Sequence, residues 1–239
     1  MKKLSLINTL LLFGIIAYLT YQHFDVETET DKQFIPELSV ERLNVIGKDK
    51  NLYMAISNPE RQALATMGGD TLFPNTKRDL SGIMFFNRVG DEVGGIFYDG
   101  NDTISDQGIT FDQQKNDQVM AIMKSEYKEG NNWKRWYGMY LRERTDSITQ
   151  TQVFKNFYKE TENFTEEEKE KAYTEMRRKL DEEINVYRMF LGREETENVG
   201  LFLYDSKGRE RIKLYVDDKD NAKLIIKDTL GNIQDLTKI

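Results

Sequence analysis

Cysteine is absent from this 239-residue chain, and histidine occurs once. Without cysteine there can be no disulfide, no thiolate nucleophile, no cysteine-ligated zinc or iron–sulfur site and no lipid-modified cysteine. The one histidine, His23, borders a hydrophobic segment. The rest of the chain therefore has no imidazole for a catalytic triad or a histidine-rich metal site, and we expect no cofactor.

Proline is also scarce, at 3 residues, while 38% of the chain is hydrophobic and 31% is charged. That balance is typical of a folded globular region. Lys and Arg number 34 against 41 Asp and Glu, and the two signs are interleaved along the chain. Binding to nucleic acid or to an anionic lipid surface by charge needs a dense cluster of cations, so we expect no nucleic-acid partner.

A run of eighteen positions without a charge extends from Leu4 to Tyr21. As a helix it would be roughly 27 Å long, near the lower limit for crossing a bilayer. Lys2 and Lys3 precede the run and acidic residues follow it, which predicts a cytoplasmic N-terminus. A cleaved signal peptide has a similar start, but the bulky residues after the run make poor cleavage sites. We therefore predict that residues 1–24 are a single-pass transmembrane signal-anchor in a bacterial inner membrane, with the main domain periplasmic.

The region after this segment has the pattern of an antiparallel β-meander. Residues 25–36 are polar and acidic and are expected to form a stalk. Beyond them, short apolar runs alternate with turns rich in Gly, Asn and Asp about every ten residues. The predicted fold class is mainly β (α+β), with a first β module at residues 37–148 and a second β-meander module at residues 188–239.

Residues 149–187 have a different periodicity. Thr165 and Glu168 have the spacing of a capping box, which marks the start of a helix. Apolar residues then recur every four positions, at Ala172, Met176, Leu180 and Ile184. This spacing predicts a helical insertion with one apolar stripe that must pack on another element.

An internal similarity relates the two β modules. A shift of 118 residues places Gly82–Glu92 on Gly200–Glu210 without a gap, and two glycines, an Asn or Asp and the glutamate coincide. Duplication of a β module explains this match. Convergence between two hairpins with similar turns explains it equally well, and both interpretations stay open here.

Two segments, Gly82–Gly95 (GIMFFNRVGDEVGG) and Phe190–Val216, carry a resemblance to a known group of proteins. They are similar to segments of uncharacterised bacterial membrane-anchored β-meander proteins, and together they make up about a sixth of the chain. The resemblance implies β architecture and membrane anchoring. It implies no activity and no catalytic residue.

Four aromatic residues, Trp133, Trp136, Tyr137 and Tyr140, are candidates for a partner or ligand surface. Such rings stack on sugars and anchor protein interfaces. In a strand, Trp136 and Tyr140 would lie on one face and Tyr137 on the other. Aromatic residues of strands commonly fill a core, and we favour that interpretation.

Oxygen-rich segments are the best candidates for a metal site in this sequence. Residues Asp99–Asp106, continued by Asp112 and Asp117, offer carboxylates of the kind calcium prefers. Their spacing is not that of an EF-hand loop, and Asp and Asn are ordinary turn residues. We therefore expect no bound metal.

The tripeptide Asp-Ser/Thr-aliphatic occurs four times and is similar to a bacterial O-glycosylation sequon. The candidate acceptors are Thr71, Thr103, Ser147 and Thr229. Attachment of sugar would require these hydroxyls to be exposed outside the cytoplasm.

No nucleophile with a neighbouring base, no metal cluster and no cofactor loop stands out in the sequence. Our hypothesis is a non-enzymatic binding or scaffolding component of the cell envelope, with another envelope protein or a glycan as partner. The alternative is a carboxylate-dependent hydrolase of cell-wall or extracellular glycans. It requires two acidic groups in one cleft near Trp133 or Trp136, one of them with a raised pKa.

Overall fold

The computed structural model describes residues 11–21, 34–67, 70–72, 77–146, 149–180 and 184–238. The chain divides into two compact units, residues 1–40 and residues 41–239. In the first unit, residues 11–21 form helix α1, and residues 34–40 are exposed without regular secondary structure. None of the helices in the described ranges is long and apolar enough to cross a membrane. Most of the expected stalk, and both ends of the expected anchor, lie outside these ranges.

The second unit is built on one large antiparallel sheet. Its strands are β1 (Arg42–Ile46), β2 (Leu52–Ser57), β3 (Thr66–Met67), β4 (Asp70–Thr71), β5 (Ser81–Phe86), β6 (Glu92–Gly100), β7 (Ile104–Asp112), β8 (Gln118–Glu129), β9 (Asn132–Arg144), β10 (Asn185–Arg193), β11 (Val199–Tyr204), β12 (Glu210–Val216), β13 (Ala222–Lys227) and β14 (Ile233–Asp235). Strands β3 and β4 pair with each other, and the other twelve form a single sheet in chain order. The predicted mainly β antiparallel meander is confirmed.

Two helices, α2 (Gln150–Glu160) and α3 (Glu166–Lys179), lie between β9 and β10. Helix α3 begins at the predicted capping box: Thr165 Oγ1 accepts from the Glu168 N–H, and the Glu168 carboxylate accepts from the Thr165 N–H. Acidic residues fill its first turn and basic residues its last, as the helix dipole favours.

The apolar stripe of α3 packs on α2, where Met176 and Leu180 are buried against Phe154. The prediction that the helical insertion reaches residue 187 differs from the structure. Ile184 is buried in the same cluster, but it lies beyond α3, and Asn185 begins β10. The reason is tertiary: from Asn185 the chain pairs with β9, and the ladder hydrogen bonds override the helical spacing.

The sheet continues across the boundary between the two β modules expected at residues 37–148 and 188–239. Strand β9 ends the first module, β10 begins the second, and β10 pairs with the Tyr137–Arg144 part of β9. One face of this sheet, here called the covered face, contains the buried side chains. They include Ala55, Met84, Thr110, Ala121, Tyr140 and Phe202.

The connection between β2 and β5 covers the first strands on that face. Ala63 from this connection is buried against Ala55 and Met84. The Gln62 amide anchors the connection, since its oxygen accepts from Ser57 Oγ and its nitrogen donates to the Leu80 carbonyl. Burial and satisfied hydrogen bonds together hold this segment on the sheet.

Candidate functional site

The opposite face of the sheet carries a row of aliphatic side chains that runs from β1 to β13. Directly opposed residues on neighbouring strands point to the same face. Following those pairs from strand to strand gives Leu43, Ile56, Ile83, Ile96, Ile109, Ile122, Met139, Leu191, Leu201, Leu214 and Leu224. Each of eleven successive strands thus contributes one aliphatic side chain, and we call this surface the aliphatic face.

A second row lies two residues further along each strand. It consists of Val45, Met54, Phe85, Gly94, Phe111, Met120, Leu141, Met189, Leu203, Ile212 and Ile226. It is apolar throughout, with Gly94 as the one position without a side chain. The two rows together form the apolar part of the aliphatic face.

The aliphatic face is exposed where the covered face is buried. In β8, Ala121 on the covered face is 0% exposed, whereas the next residue, Ile122, is 53% exposed. Ile96 and Leu214, in the same row as Ile122, are 42% and 53% exposed. Apolar patches of more than a few hundred Å² are rare on monomeric soluble proteins and mark interaction sites.

Turn chemistry fixes the register that aligns these rows. In the β5–β6 turn, Asn87 Oδ1 accepts from the N–H groups of Val89 and Asp91, and Gly90 has a φ of +85°. This is the hairpin turn with a glycine bulge that sets which residues oppose each other. A shift of one residue in a strand would move the isoleucine of that strand to the covered face.

Part of the aliphatic face forms a groove of about 1020 Å³. Its floor is the five isoleucines of β2, β5, β6, β7 and β8, namely Ile56, Ile83, Ile96, Ile109 and Ile122. Tyr98, Gln107, Lys124 and Tyr137, which oppose one another in the next row, form its margin. The groove thus has an apolar floor and a polar margin on one side.

Lys124 is the one charged side chain that lines the groove among the described residues. Its Nζ lies 2.9 Å from Glu126 Oε2, and Arg135 Nε lies 3.0 Å from the other oxygen of the same carboxylate. Hydrogen bonds and ion pairs to these two cations, with that to Lys124 the largest influence, lower the pKa of Glu126. Two cations share one carboxylate, so the trio carries a net positive charge.

The sequence does contain a signal for this groove. The signal is missed when apolar residues in strands are interpreted as core residues. A small residue followed by isoleucine recurs every thirteen positions, at Gly82-Ile83, Gly95-Ile96, Gly108-Ile109 and Ala121-Ile122. In the structure these isoleucines oppose one another across four strands. A period equal to one strand plus one turn places equivalent residues side by side.

The four aromatic candidates of β9 are divided between the two faces. Tyr137, 47% exposed, lines the groove, and Trp133 lies on the same face beneath Lys128 Nζ, 5.2 Å from the ring centroid. Tyr140 is buried on the covered face, and its hydroxyl donates to Gln118 Oε1. Trp136 shares that face and is half-buried. The structure therefore does not bring these four together on one surface.

A second cavity, of about 320 Å³, lies beside Trp136 on the covered face. Aromatic rings from β9, β10 and β11 line it together with Glu194 and Glu195. Burial, followed by the neighbouring Glu210 and Glu194, raises the pKa of the Tyr204 hydroxyl in this cavity to about 12. The hydroxyl therefore stays protonated at neutral pH and can donate a hydrogen bond.

A third cavity, of about 140 Å³, contains the carboxylate with the most unusual environment. Burial, reinforced by the charges of Asp117 and Glu92, raises the pKa of Asp112 to about 7. Its Oδ1 atom is buried without a hydrogen-bond partner. Arg78 sits across the cavity in a two-point ion pair with Glu92, at 2.9 and 3.1 Å.

Arg144 holds the other side of this charged cluster. Its side chain is 1% exposed, lies 3.3 Å from Asp117 Oδ2 and donates from Nε to the Gln118 carbonyl. Burial lowers the pKa of this guanidinium. Among the described residues, no three acidic or imidazole groups lie close enough together to hold a metal ion.

Three of the candidate glycosylation residues are exposed in turns or at strand ends: Thr71, Thr103 and Thr229. The fourth, Ser147, lies outside the described residues. The oxygen-rich segment around Thr103 is a turn, since Asn101 Oδ1 accepts from the N–H groups of Thr103 and Ile104. Asn101 therefore fixes the chain between β6 and β7.

No protein-family model matches the chain, and searches of curated proteins and of solved structures find no match either.

Proposed function

We propose that this protein is a non-enzymatic binding component of the cell envelope and that the aliphatic face is its binding surface. One observation carries the proposal: the row of apolar side chains crosses eleven strands, and seven of its residues are exposed and none is buried. At a strand spacing of about 4.8 Å, this row is about 50 Å long. A surface of that length buries enough apolar area on contact to drive stable association.

The proposal includes the membrane anchor predicted from the sequence. Eighteen uncharged positions from Leu4 to Tyr21, preceded by two lysines, support a single crossing with the N-terminus in the cytoplasm. The sheet would then lie in the periplasm, next to lipid, to other envelope proteins and to glycans. Protease added to spheroplasts should remove residues after about 25, and protection of the sheet would contradict this orientation.

Photo-crosslinking in intact cells tests the binding surface. Benzoylphenylalanine in place of Ile109, on the groove floor, should yield an adduct with an envelope molecule, detected by mass spectrometry. The matched control is Val89, an apolar residue 60% exposed in the β5–β6 turn. Adducts at both positions, at neither, or only with the protein itself at Ile109 would count against the aliphatic face as the binding surface.

The hydrolase alternative has less support. It requires a carboxylic acid of raised pKa and a second carboxylate beside a tryptophan. The acid of raised pKa, Asp112, lines the cavity of Arg78 and Glu92, whereas Trp136 lines the cavity of Glu194 and Glu195. These requirements are met in different cavities, which favours binding over hydrolysis.

A further inference from the structure

We propose that the groove of the aliphatic face binds the acyl chain of a lipid with an anionic head group. The proposal rests on the function proposed above, because it assigns an occupant to the same surface. Three properties of the groove lead to it: the chemistry of its floor, the charge of its margin and its shape.

The floor offers no hydrogen bond to a ligand. The five isoleucines carry no polar atom, and the strands beneath them, β2 and β5 to β8, are paired on both sides within the sheet. An extended peptide laid on this floor would leave its own N–H and C=O groups unsatisfied at a substantial cost. A hydrocarbon chain has no such groups and gains from each methylene it buries.

The margin is suited to a head group of negative charge. Tyr98, Gln107 and Tyr137 offer hydroxyl and amide donors along one side of the floor. Lys124 lies between Gln107 and Tyr137 in the same row, and its side chain is 35% exposed although its ammonium pairs with Glu126. Arg135 does not line the groove but shares the Glu126 carboxylate with Lys124, so one positive charge remains beside the margin and attracts an anion.

The shape of the groove argues against a second copy of the chain as the occupant. Two identical surfaces related by a twofold axis must be self-complementary, and two grooves facing each other leave a void between them. The volume of about 1020 Å³ lies just above the range of roughly 300–1,000 Å³ typical of small-molecule sites. A long flexible chain fills such a space without a matching protein surface.

The experiment uses the full-length chain in phosphatidylcholine nanodiscs, with palmitate carrying a photoactivatable diazirine as the probe. Mass spectrometry of the irradiated protein should place the label on β6, β7 and β8, at Ile96, Ile109 or Ile122. Ile122→Glu should lower labelling about tenfold, since the loss of contact with two methylenes corresponds to that factor in affinity.

Leu214→Glu is the matched control for the added charge. Leu214 lies in the same row, and its exposure of 53% equals that of Ile122, but it does not line the groove. Labelling of this variant should equal that of the unmodified chain. Should Ile122→Glu fail to fold, Ile122→Gln takes its place, with the same expectation and a smaller loss of labelling.

A second comparison tests the charge of the head group. It uses palmitate and an uncharged palmitoyl glycerol that carries the same diazirine. Lys124→Gln should reduce labelling by palmitate and leave labelling by the neutral probe unchanged. An equal effect on both probes, or no effect on either, would overturn the assignment of Lys124 to an anionic head group.

Palmitate label outside the groove, or equal labelling of the two glutamate variants, would overturn the acyl-chain proposal. If Ile109 then still crosslinks to an envelope protein in cells, the proposed function stands with a protein as occupant. If crosslinking in cells fails as well, the proposed function falls with it.

Discussion

Asp112 shows how burial, reinforced by neighbouring carboxylates, changes the protonation of a carboxyl group. Its Oδ1 atom is buried without a partner, and two further carboxylates, Asp117 and Glu92, lie near it. The guanidinium groups of Arg144 and Arg78 oppose this effect without cancelling it, so the pKa is raised to about 7. The folded protein therefore holds a proton on Asp112 more tightly than the unfolded chain, where a pKa of about 3.9 is expected.

The stability contribution of Asp112 should fall as the pH rises. It is fully present below about pH 4 and is lost as the pH passes through about 7. In Asp112→Asn the side chain is neutral at every pH. The free energy of unfolding of this variant, relative to that of the unmodified chain, should therefore increase by roughly 2–4 kcal/mol between pH 5 and pH 8. Urea unfolding at both pH values measures this difference.

Asp218→Asn, at an exposed position in the β12–β13 turn, controls for the loss of one negative charge. Its effect on the free energy of unfolding should be small and the same at both pH values. If the free energy of unfolding of Asp112→Asn differed from that of the unmodified chain by the same amount at both pH values, the Asp112 carboxyl would be ionised at both.

Ala121 and Ile122 give the sharpest contrast between the two faces of the sheet. Ala121 is 0% exposed, opposite Thr110 and Tyr140, whereas Ile122 is 53% exposed. Ala121→Glu should lower the free energy of unfolding by more than about 3 kcal/mol, because it buries an unpaired charge. Ile122→Glu should change it by less than about 1 kcal/mol. Thermal and urea unfolding measure both, and the reverse order would mean that β8 is shifted by one residue.

The hairpin turns explain how much of the sheet could be predicted from the sequence. Asx residues at Asn87 and Asp205 begin turns with the same hydrogen bonds, and each turn has a glycine with positive φ at its fourth position. The same hydrogen bonds recur at Asp217 and Asp228, with Asp220 and Gly231 as the positive-φ residues at the fourth position. Local chemistry of this kind is visible in the sequence, so the meander could be predicted. Because the turn also recurs outside the two matched hairpins, it does not separate duplication from convergence.

The two faces could not be distinguished in the same way. Alternation predicts which residues share a face, but it does not say which face the rest of the chain covers. Ala63 and Leu80 belong to the connection between β2 and β5, whose sequence has no hydrophobic periodicity. Because they pack in one cluster with Met84, they cover that face of the sheet and leave the isoleucines of the opposite face uncovered. The cavity around Asp112 is likewise formed by residues distant in the sequence, such as Arg78 and Phe154.

The capping box of α3 contributes to stability independently of the sheet. Thr165→Ala removes the side chain that accepts from the Glu168 N–H and should cost about 1 kcal/mol. Thr174→Ala is the matched control, because Thr174 lies within the same helix and bonds back to the Glu170 carbonyl. Alanine is the stronger helix former, so this change should not destabilise the helix. Hydrogen exchange of the α3 amides measures both, and equal losses of protection would show that the cap contributes nothing specific.

The single sheet accounts for both the stability and the proposed binding of the second unit. Its covered face carries the connection between β2 and β5, which supplies a core. Its aliphatic face carries two apolar rows with no buried side chain among their described residues. A sheet packed on both faces would leave no such surface, whereas this one has a face for folding and a face available for a ligand.

Carbene footprinting compares the aliphatic face of the purified chain with that of the chain in intact cells. We predict strong labelling of Ile96, Ile109 and Ile122 in the purified chain, protection of the same residues in cells, and no labelling of Ala121 in either. Equal labelling of the three isoleucines in both settings would contradict the proposal that an envelope molecule occupies this face.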